Sequence, residues 1–203
     1  MAIVEVNISM SLDGFVTGPN INEFPGLGEG GEILHGWLAE DRGLDFGIGV
    51  DHDIAGSIVT SRKVFDGTGG WGDDGYYRMP VFVVTHRAHE VIVKQDTTFT
   101  FVTDGIMSAV AQAAVAAGDR VVHVMGGASI VQQALRAGLV DELFLHVAPV
   151  ILGHGTPLFE HLGGPIQLEQ AEVVESKFAT HLRYRVVTAS PRTVHGPRLS
   201  PAT

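Results

Sequence analysis

One stretch near the middle of the chain constrains the fold most, because it joins a strand to a helix through two adjacent glycines. The apolar run at residues 121–125 predicts a buried strand, and residues 130–139 predict a helix that Ser129 caps. Gly126 and Gly127 lie between them and allow a tight turn. Backbone N–H groups in such a turn can bind an anion, although a glycine pair after a strand is more often a turn and nothing else.

Segments typical of strands and of helices alternate along most of the chain. Residues 3–9 alternate apolar and polar side chains, as a half-buried strand does, and residues 107–117 predict an alanine-rich helix after Asp104. Because helices separate the middle strands, the sequence predicts an α/β fold with a mixed, mostly parallel central sheet and an antiparallel C-terminal edge. The other predicted elements are a helix at residues 32–40 and strands at residues 58–60, 81–85, 98–102, 142–150, 166–176 and 181–188.

The size of the chain is sufficient for one domain. Of its 203 residues, 45% are hydrophobic and 18% are charged, which allows a sizeable core. We therefore predict one domain over residues 1–189. Residues 190–203 contain three prolines and few large apolar side chains, a composition that predicts a flexible tail.

The charge of the chain limits its partners. A formal net charge of −10 argues against a protein that coats nucleic acid, because phosphate binding of that kind needs a dense basic surface. An anionic small molecule would need a local basic pocket, for which Arg62-Lys63 and His86-Arg87 are candidates. No apolar run approaches the ~20 residues that cross a bilayer, and no basic and apolar leader begins the chain, so we expect no membrane association and a cytoplasmic protein.

Several kinds of site are disfavoured by the residue types present. The chain has no cysteine, which excludes a disulfide, a thiolate metal site and a cysteine nucleophile. Its ten histidines are scattered without the close spacing of metal ligands, and the Gly-x-Ser-x-Gly and P-loop motifs are absent. We therefore expect no metal, and a small molecule as the ligand.

Two glycine-rich stretches, at residues 18–31 and 66–78, predict long irregular loops. Aromatic side chains in or near these loops fit three roles equally: a cover over an aromatic substrate, core packing, or a subunit contact. These side chains are Trp37, Trp71, Tyr76 and Tyr77.

Five short motifs occur in order: Ser9-Met10-Ser11-Leu12-Asp13-Gly14, Arg62 after a short strand, Val83-Val84-Thr85-His86-Arg87, Met125-Gly126-Gly127-Ala128-Ser129, and residues 140–153. With this set, the chain resembles the dihydrofolate-reductase-like family, which includes the reductase domain of bacterial bifunctional riboflavin deaminase-reductases. The resemblance covers residues 3 to about 188. It implies a three-layer α/β/α fold and reductase activity. We expect the zinc deaminase domain of the bifunctional proteins to be absent, because the sequence has no cysteine ligands.

The resemblance also implies NADPH as the cofactor, with its pyrophosphate at the paired glycines and its adenosine 2′-phosphate among basic and hydroxyl residues. Two cationic stretches favour NADPH over NADH, because a bare ribose hydroxyl requires less charge. The expected pyrophosphate ligands are Gly126, Gly127, Ala128, Ser129 and Ile130. The expected 2′-phosphate ligands are Arg62, Lys63, Thr85, His86 and Arg87, and Ser61 belongs to the same cofactor-binding set.

Hydride transfer to a C=N or C=O bond also needs a proton, and Asp13, Glu32 and His146 are the catalytic candidates. Asp13 follows the first strand, but Asp-Gly is also a common turn. Glu32 starts the first predicted helix, roughly where folate-reducing relatives carry a substrate-binding carboxylate, and fits equally well as an acid that stabilises the helix start. His146 lies on a central strand, where either a cleft position or a satisfied core position fits.

Two residues depart from the family pattern. Met125 stands where riboflavin reductases usually have a glutamate before the paired glycines, which argues against a pyrimidine ribosyl-phosphate substrate. Ser61 stands where a glycine would let a phosphate approach closely. The sequence thus predicts an NADPH-dependent reductase of a small pterin- or pyrimidine-like heterocycle, which the resemblance implies is a homodimer. A non-catalytic ligand-binding or assembly protein with the same fold stays open.

Overall fold

The computed structural model describes residues 2–40 and 54–187. The predicted tail at residues 190–203 lies outside them. The strands are β1 Val4–Ser11, β2 Phe15–Thr17, β3 Ala55–Ser61, β4 Pro80–Val84, β5 Ile92–Lys94, β6 Thr97–Val102, β7 Val121–Gly126, β8 Glu142–Ala148, β9 Thr156–Pro157, β10 Leu168–Glu175 and β11 Thr180–Val186. The helices are a 3-10 helix Gly31–His35, α1 Trp37–Glu40, α2 Arg62–Gly67, α3 Gly105–Ala117 and α4 Ala128–Arg136.

A mixed sheet organises the described residues. Its nine strands follow the order β10-β11-β8-β1-β7-β3-β4-β6-β5. The strands from β8 to β6 in this order are parallel to one another, whereas β10 and β11 are antiparallel at the C-terminal edge. This confirms the predicted α/β class, the mostly parallel centre and the antiparallel C-terminal edge. The opposite edge also has an antiparallel strand, β5, which the sequence does not indicate because it has only three residues.

The two faces of the sheet differ in polarity. Along β1, Val4 and Val6 pack into the main apolar cluster with residues of α3 and α4. The alternate positions Glu5, Asn7 and Ser9 are buried polar residues on the opposite face. The 3-10 helix contacts β1 and β8, and α2 contacts β3 and β4. The described part of the chain thus forms three layers, with no helix long and apolar enough to cross a membrane.

The start of α4 corrects one prediction. The helix begins at Ala128, not at Ile130, and Ser129 is inside the helix and not its cap. Gly127 is the N-cap residue, and no side chain caps the helix. The carbonyl oxygen of Gly127 accepts hydrogen bonds from the amides of Ile130 and Val131, so the backbone itself closes the first turn.

The predicted helix at residues 32–40 is in fact two short helices. The 3-10 helix ends at His35 and α1 begins at Trp37, with Gly36 between them. Leu34 and Trp37 are buried, but Ile33 is 56% exposed. A 3-10 helix has three residues per turn, so an apolar stripe spaced for an α-helix does not stay on one face.

Most of the aromatic residues near the glycine-rich loops pack in the interior. Trp37 is buried, and its indole N–H donates to the Ser9 hydroxyl. The ring of Trp71 lies parallel to that of Phe99, with centroids 6.1 Å apart. Tyr77 is also buried, whereas Tyr76 is 61% exposed. Of the three roles that the sequence allowed, core packing is the one found for Trp37, Trp71 and Tyr77.

Candidate cofactor cleft

A cleft of about 400 Å³ lies where β3 and β4 end and α2 and α4 begin. This volume falls within the roughly 300–1,000 Å³ typical of small-molecule sites. Most of the residues predicted to bind the cofactor meet there, although they come from three separate regions of the chain: Ser61, Arg62, Lys63, Thr85, His86, Arg87, Ser129 and Ile130. Lining residues that the sequence did not predict to bind the cofactor are Asp66, Val84, Thr103, Gly105 and Gln133.

Ser61 connects two walls of the cleft. Its hydroxyl oxygen accepts hydrogen bonds from the amides of Val64 and Gly127, both at 3.2 Å. The first bond caps α2, and the second ties α2 to the glycine turn. The amide of Gly127 therefore bonds to Ser61, which corrects the expectation that it faces a phosphate. The hydroxyl group of Ser61 keeps its own hydrogen to donate to a ligand.

The glycine turn is fixed by its neighbours. The Thr60 hydroxyl donates to the Gly126 carbonyl at 2.9 Å, and the peptide bond between Gly126 and Gly127 is cis. The amides of Ala128 and Ser129 come before the first backbone N–H that bonds within α4, which belongs to Ile130. Of the predicted backbone donors in the described chain, these two amides, at the positive end of the helix dipole, remain to bind an anion.

The basic side chains of the cleft come from α2 and from the turn after β4. The Arg62 Nε donates to Asp66 Oδ1 at 2.7 Å, and the guanidinium carbon lies 5.4 Å from the centre of the Phe101 ring. Lys63, His86 and Arg87 are exposed at the rim. The helix amides and the basic side chains are two separate groups that can donate hydrogen bonds to phosphate. This set of residues therefore fits a ligand with more than one phosphate group.

Thr85 has a different role from the predicted one. Its hydroxyl oxygen accepts a hydrogen bond from the Arg87 amide at 3.2 Å and donates to the Arg87 carbonyl at 3.3 Å. The threonine is buried, whereas Arg87 is exposed. The Thr85 hydroxyl thus holds the short turn that presents Arg87, and it does not offer its proton to a 2′-phosphate.

Asp13 lies outside the residues that line the cleft, in the exposed turn after β1. Its carboxylate accepts hydrogen bonds from the amides of Leu152 and Gly153, at 3.1 and 2.7 Å. A hydrogen bond from the Ser11 hydroxyl, followed by those from the backbone amides, lowers the pKa of Asp13. Asp13 therefore holds the loop after β8 as a carboxylate, and a carboxylate has no proton to donate.

His146 belongs to a buried chain of hydrogen bonds on the polar face of the sheet. The Asn7 amide nitrogen faces Glu5 at 3.4 Å, so the Asn7 carbonyl oxygen accepts from His146 Nε2 at 2.9 Å. In a neutral ring, Nδ1 of His146 is then the acceptor, and His181 Nδ1 donates to it at 2.7 Å. Both ring nitrogens of His146 are used within the protein.

The surroundings of His146 keep its ring neutral. Burial is the main cause that lowers the pKa of His146 to about 3, and the nearby charge of His181 adds to it. Trp37 covers the ring, with centroids 4.2 Å apart. Of the two positions that the sequence left open for His146, the structure shows the core position, in which both ring nitrogens have hydrogen-bond partners within the protein. Glu32, the third catalytic candidate, is exposed in the first turn of the 3-10 helix.

An ion-pair network extends the hydrogen bonds around His146 toward the start of β1. Arg183 donates to Glu5 at 2.6 Å and to Glu142 at 3.1 Å. Burial raises the pKa of Glu5, while Arg183 acts in the opposite direction. The sequence offered one signal for this network, the polar positions that alternate along β1 and β11. It could not show that strands β1, β8 and β11 are neighbours.

A sequence model of the RibD C-terminal domain matches residues 2–182 of this chain. The chain belongs to the RibD C-terminal domain family. It is 28% identical to the uncharacterized protein YyaP of Bacillus subtilis (strain 168) over 163 residues, which cover 76% of this chain and 78% of YyaP. A RibD C-terminal fold supports a reductase-type function in general.

Solved structures share the fold. A putative riboflavin biosynthesis protein from Shewanella sp. PV-4 superposes with a TM-score of 0.72 at 23% identity, over 93% of this chain and 100% of that one. A Thermotoga maritima diaminohydroxyphosphoribosylaminopyrimidine deaminase/5-amino-6-(5-phosphoribosylamino)uracil reductase superposes with a TM-score of 0.63 at 12% identity. The similarity covers 92% of this chain and 57% of the Thermotoga chain. These similarities show that this chain has the same fold as the two solved structures.

Proposed function

We propose that this RibD C-terminal domain protein is an NADPH-dependent reductase of a small pterin- or pyrimidine-like heterocycle. The observation that carries the proposal is the meeting of Arg62, Arg87 and Ser129 in one cleft at the ends of parallel strands. NADPH, when bound, supplies a hydride for a C=N or C=O bond, and a proton completes the reduction.

The residues of the cleft divide the binding of NADPH between them. The amides of Ala128 and Ser129, with the dipole of α4, bind the pyrophosphate. Arg62 and Arg87, together with Lys63, bind the 2′-phosphate through charge-assisted hydrogen bonds. Glu32 stays the predicted proton source, because the other two sequence candidates are engaged within the protein: Asp13 and His146.

Direct titration with NADPH and NADH tests this proposal. We expect the wild-type protein to enhance NADPH fluorescence and to bind NADPH more tightly than NADH. Arg62→Ala weakens NADPH binding by about tenfold, the scale of one charge-assisted contact to phosphate. Arg136→Ala is the matched control, because Arg136 is an exposed arginine in the last turn of α4 that donates to the His161 carbonyl outside the cleft. A wild-type protein that binds neither nucleotide would contradict the proposal.

Candidate heterocycles can be screened as substrates by following the oxidation of NADPH. With a substrate found in this way, Glu32→Gln should lower turnover without changing NADPH affinity. We also propose that the protein is cytoplasmic and, as the family resemblance implies, that it is a homodimer. Light scattering should then give the mass of two chains, and the mass of one chain would contradict it.

A further inference from the structure

Asp66 is an unexpected side chain in a cleft that binds phosphate. Of the described residues that line the cleft, it is the single carboxylate, and it lies near Arg62, Lys63 and Arg87. A negative charge at this place opposes the binding of a phosphate. Its contact with Arg62 provides a reason for its presence.

The contact fixes one edge of the guanidinium group. Asp66 follows Arg62 by one turn of α2, and its Oδ1 accepts from Arg62 Nε at 2.7 Å. The side chains are 34% exposed for Arg62 and 54% exposed for Asp66. Exposed pairs of this kind contribute little to the stability of a protein. Because Nε is occupied, the two terminal amino groups of Arg62 are left for a ligand.

Other forces on Arg62 show why it needs such a partner. Arg62 occupies the first position of α2, where the positive end of the helix dipole repels a cation. The aromatic rings beside it, 5.4 Å away for Phe101 and 6.0 Å away for Phe65, attract the guanidinium through their faces. Asp66 and these rings together keep the side chain against the protein at the cleft.

We propose that Asp66 is a positioning residue that sets the preference of the cleft for a ribose 2′-phosphate. It does so by holding Arg62 with both terminal amino groups toward the ligand. This inference rests on the proposed NADPH-dependent function and deepens it. Asp66 has two opposite effects on NADPH: the orientation of Arg62 raises affinity, and the negative charge lowers it. Neither effect changes NADH binding much, because NADH lacks the 2′-phosphate.

Two substitutions separate these effects. Asp66→Ala removes both the acceptor and the charge, and we expect NADPH binding to weaken by about fivefold with NADH binding within about twofold of wild type. Asp66→Asn keeps a carbonyl oxygen for Nε–H and removes the charge, so NADPH binds at least as tightly as to wild type. Asp119→Ala removes the same charge from the exposed turn after α3 and changes neither affinity.

The decisive measurement repeats Asp66→Ala in an Arg62→Ala background. With no guanidinium group to orient, the substitution should no longer weaken NADPH binding, because it then removes only the repulsion by the carboxylate, whereas a general structural role for Asp66 would still weaken binding. Wild-type protein that binds neither nucleotide would overturn the proposed function and this inference together. Normal NADPH binding with an unaltered NADPH:NADH preference in Asp66→Ala, or a loss of NADPH affinity that persists without Arg62, would overturn the positioning role alone.

Discussion

Single residues differ in how far the sequence reveals their role. Arg62 and Arg87 could be assigned to a cleft from the sequence, because each follows a strand and the ends of parallel strands share one edge of a sheet. The sequence also placed Ser61 in the cofactor-binding set, but it did not indicate that Ser61 ties α2 to the glycine turn. Its hydroxyl oxygen bonds to the amide of Gly127, a residue 66 positions away. Such a contact depends on β3 and β7 being neighbours, which local patterns do not contain.

Ser61→Ala should destabilise the protein by about 1–2 kcal/mol, because it removes the cap of α2 and leaves the partly buried amide of Gly127 without its acceptor. Urea unfolding followed by circular dichroism measures the change. Ser108→Ala deletes the same hydroxyl group from a half-buried position of α3, where it accepts from the exposed Gln112 side chain, and should cost less than about 0.5 kcal/mol. Equal losses in the two variants would mean that Ser61 does not tie α2 to the glycine turn.

Among the elements, the short ones escape sequence patterns but organise the loops. The strand β5 has only three residues, yet it places Lys94 beside the glycine-rich loop that follows α2. The ammonium group of Lys94 donates to the carbonyl oxygens of Gly70 at 2.9 Å and Gly72 at 2.6 Å. The same loop includes Trp71, which stacks on Phe99 of β6. The predicted irregular loop is therefore anchored at two points that neither its composition nor its glycine content indicates.

Replacing the lysine tests the anchor at the scale of this loop. Lys94→Met keeps much of the apolar stem and removes the donors, so we expect amide hydrogen exchange at residues 68–75 to accelerate by about tenfold or more, since hydrogen bonds to a charged group are worth about 1.5–3 kcal/mol. Lys177→Met is the control, because Lys177 lies in the turn between β10 and β11. Exchange that stays unchanged in this loop in Lys94→Met would show that the stacking of Trp71 is sufficient.

Across the whole molecule, the alternation of strands and helices was enough to predict the sheet, since helical crossovers impose parallel neighbours. Alternation along β1 also indicated which side chains share a face. What it could not supply is the order of the strands, and the polar face depends on that order. His123 on β7, His146 on β8 and His181 on β11 are buried there, with Glu5 on β1 between them.

This polar face makes folding stability depend on pH. Burial lowers the pKa of His123 to about 4, and burial followed by the charge of His181 lowers that of His146 to about 3. In the unfolded chain both histidines take up protons near pH 6.5. Between that pH and the lower pKa values of the folded state, the unfolded state therefore binds more protons than the folded state. The stability that the neutral rings supply is complete above about pH 7 and falls as the pH drops, by about 1.4 kcal/mol per pH unit for each histidine.

Glu5 acts in the opposite direction, because burial raises its pKa and the folded state binds its proton first, which offsets part of the loss. We therefore expect the free energy of unfolding to fall by about 2 kcal/mol between pH 7 and 5.5. His123→Gln removes one of the two most strongly shifted histidines and should make this decrease about half as large, whatever its effect on stability at pH 7. His154→Gln, at an exposed position, should leave the decrease as in wild type. Urea titrations at both pH values measure the decrease in the free energy of unfolding. Equal decreases in wild type and His123→Gln would show that His123 is not held neutral in the fold.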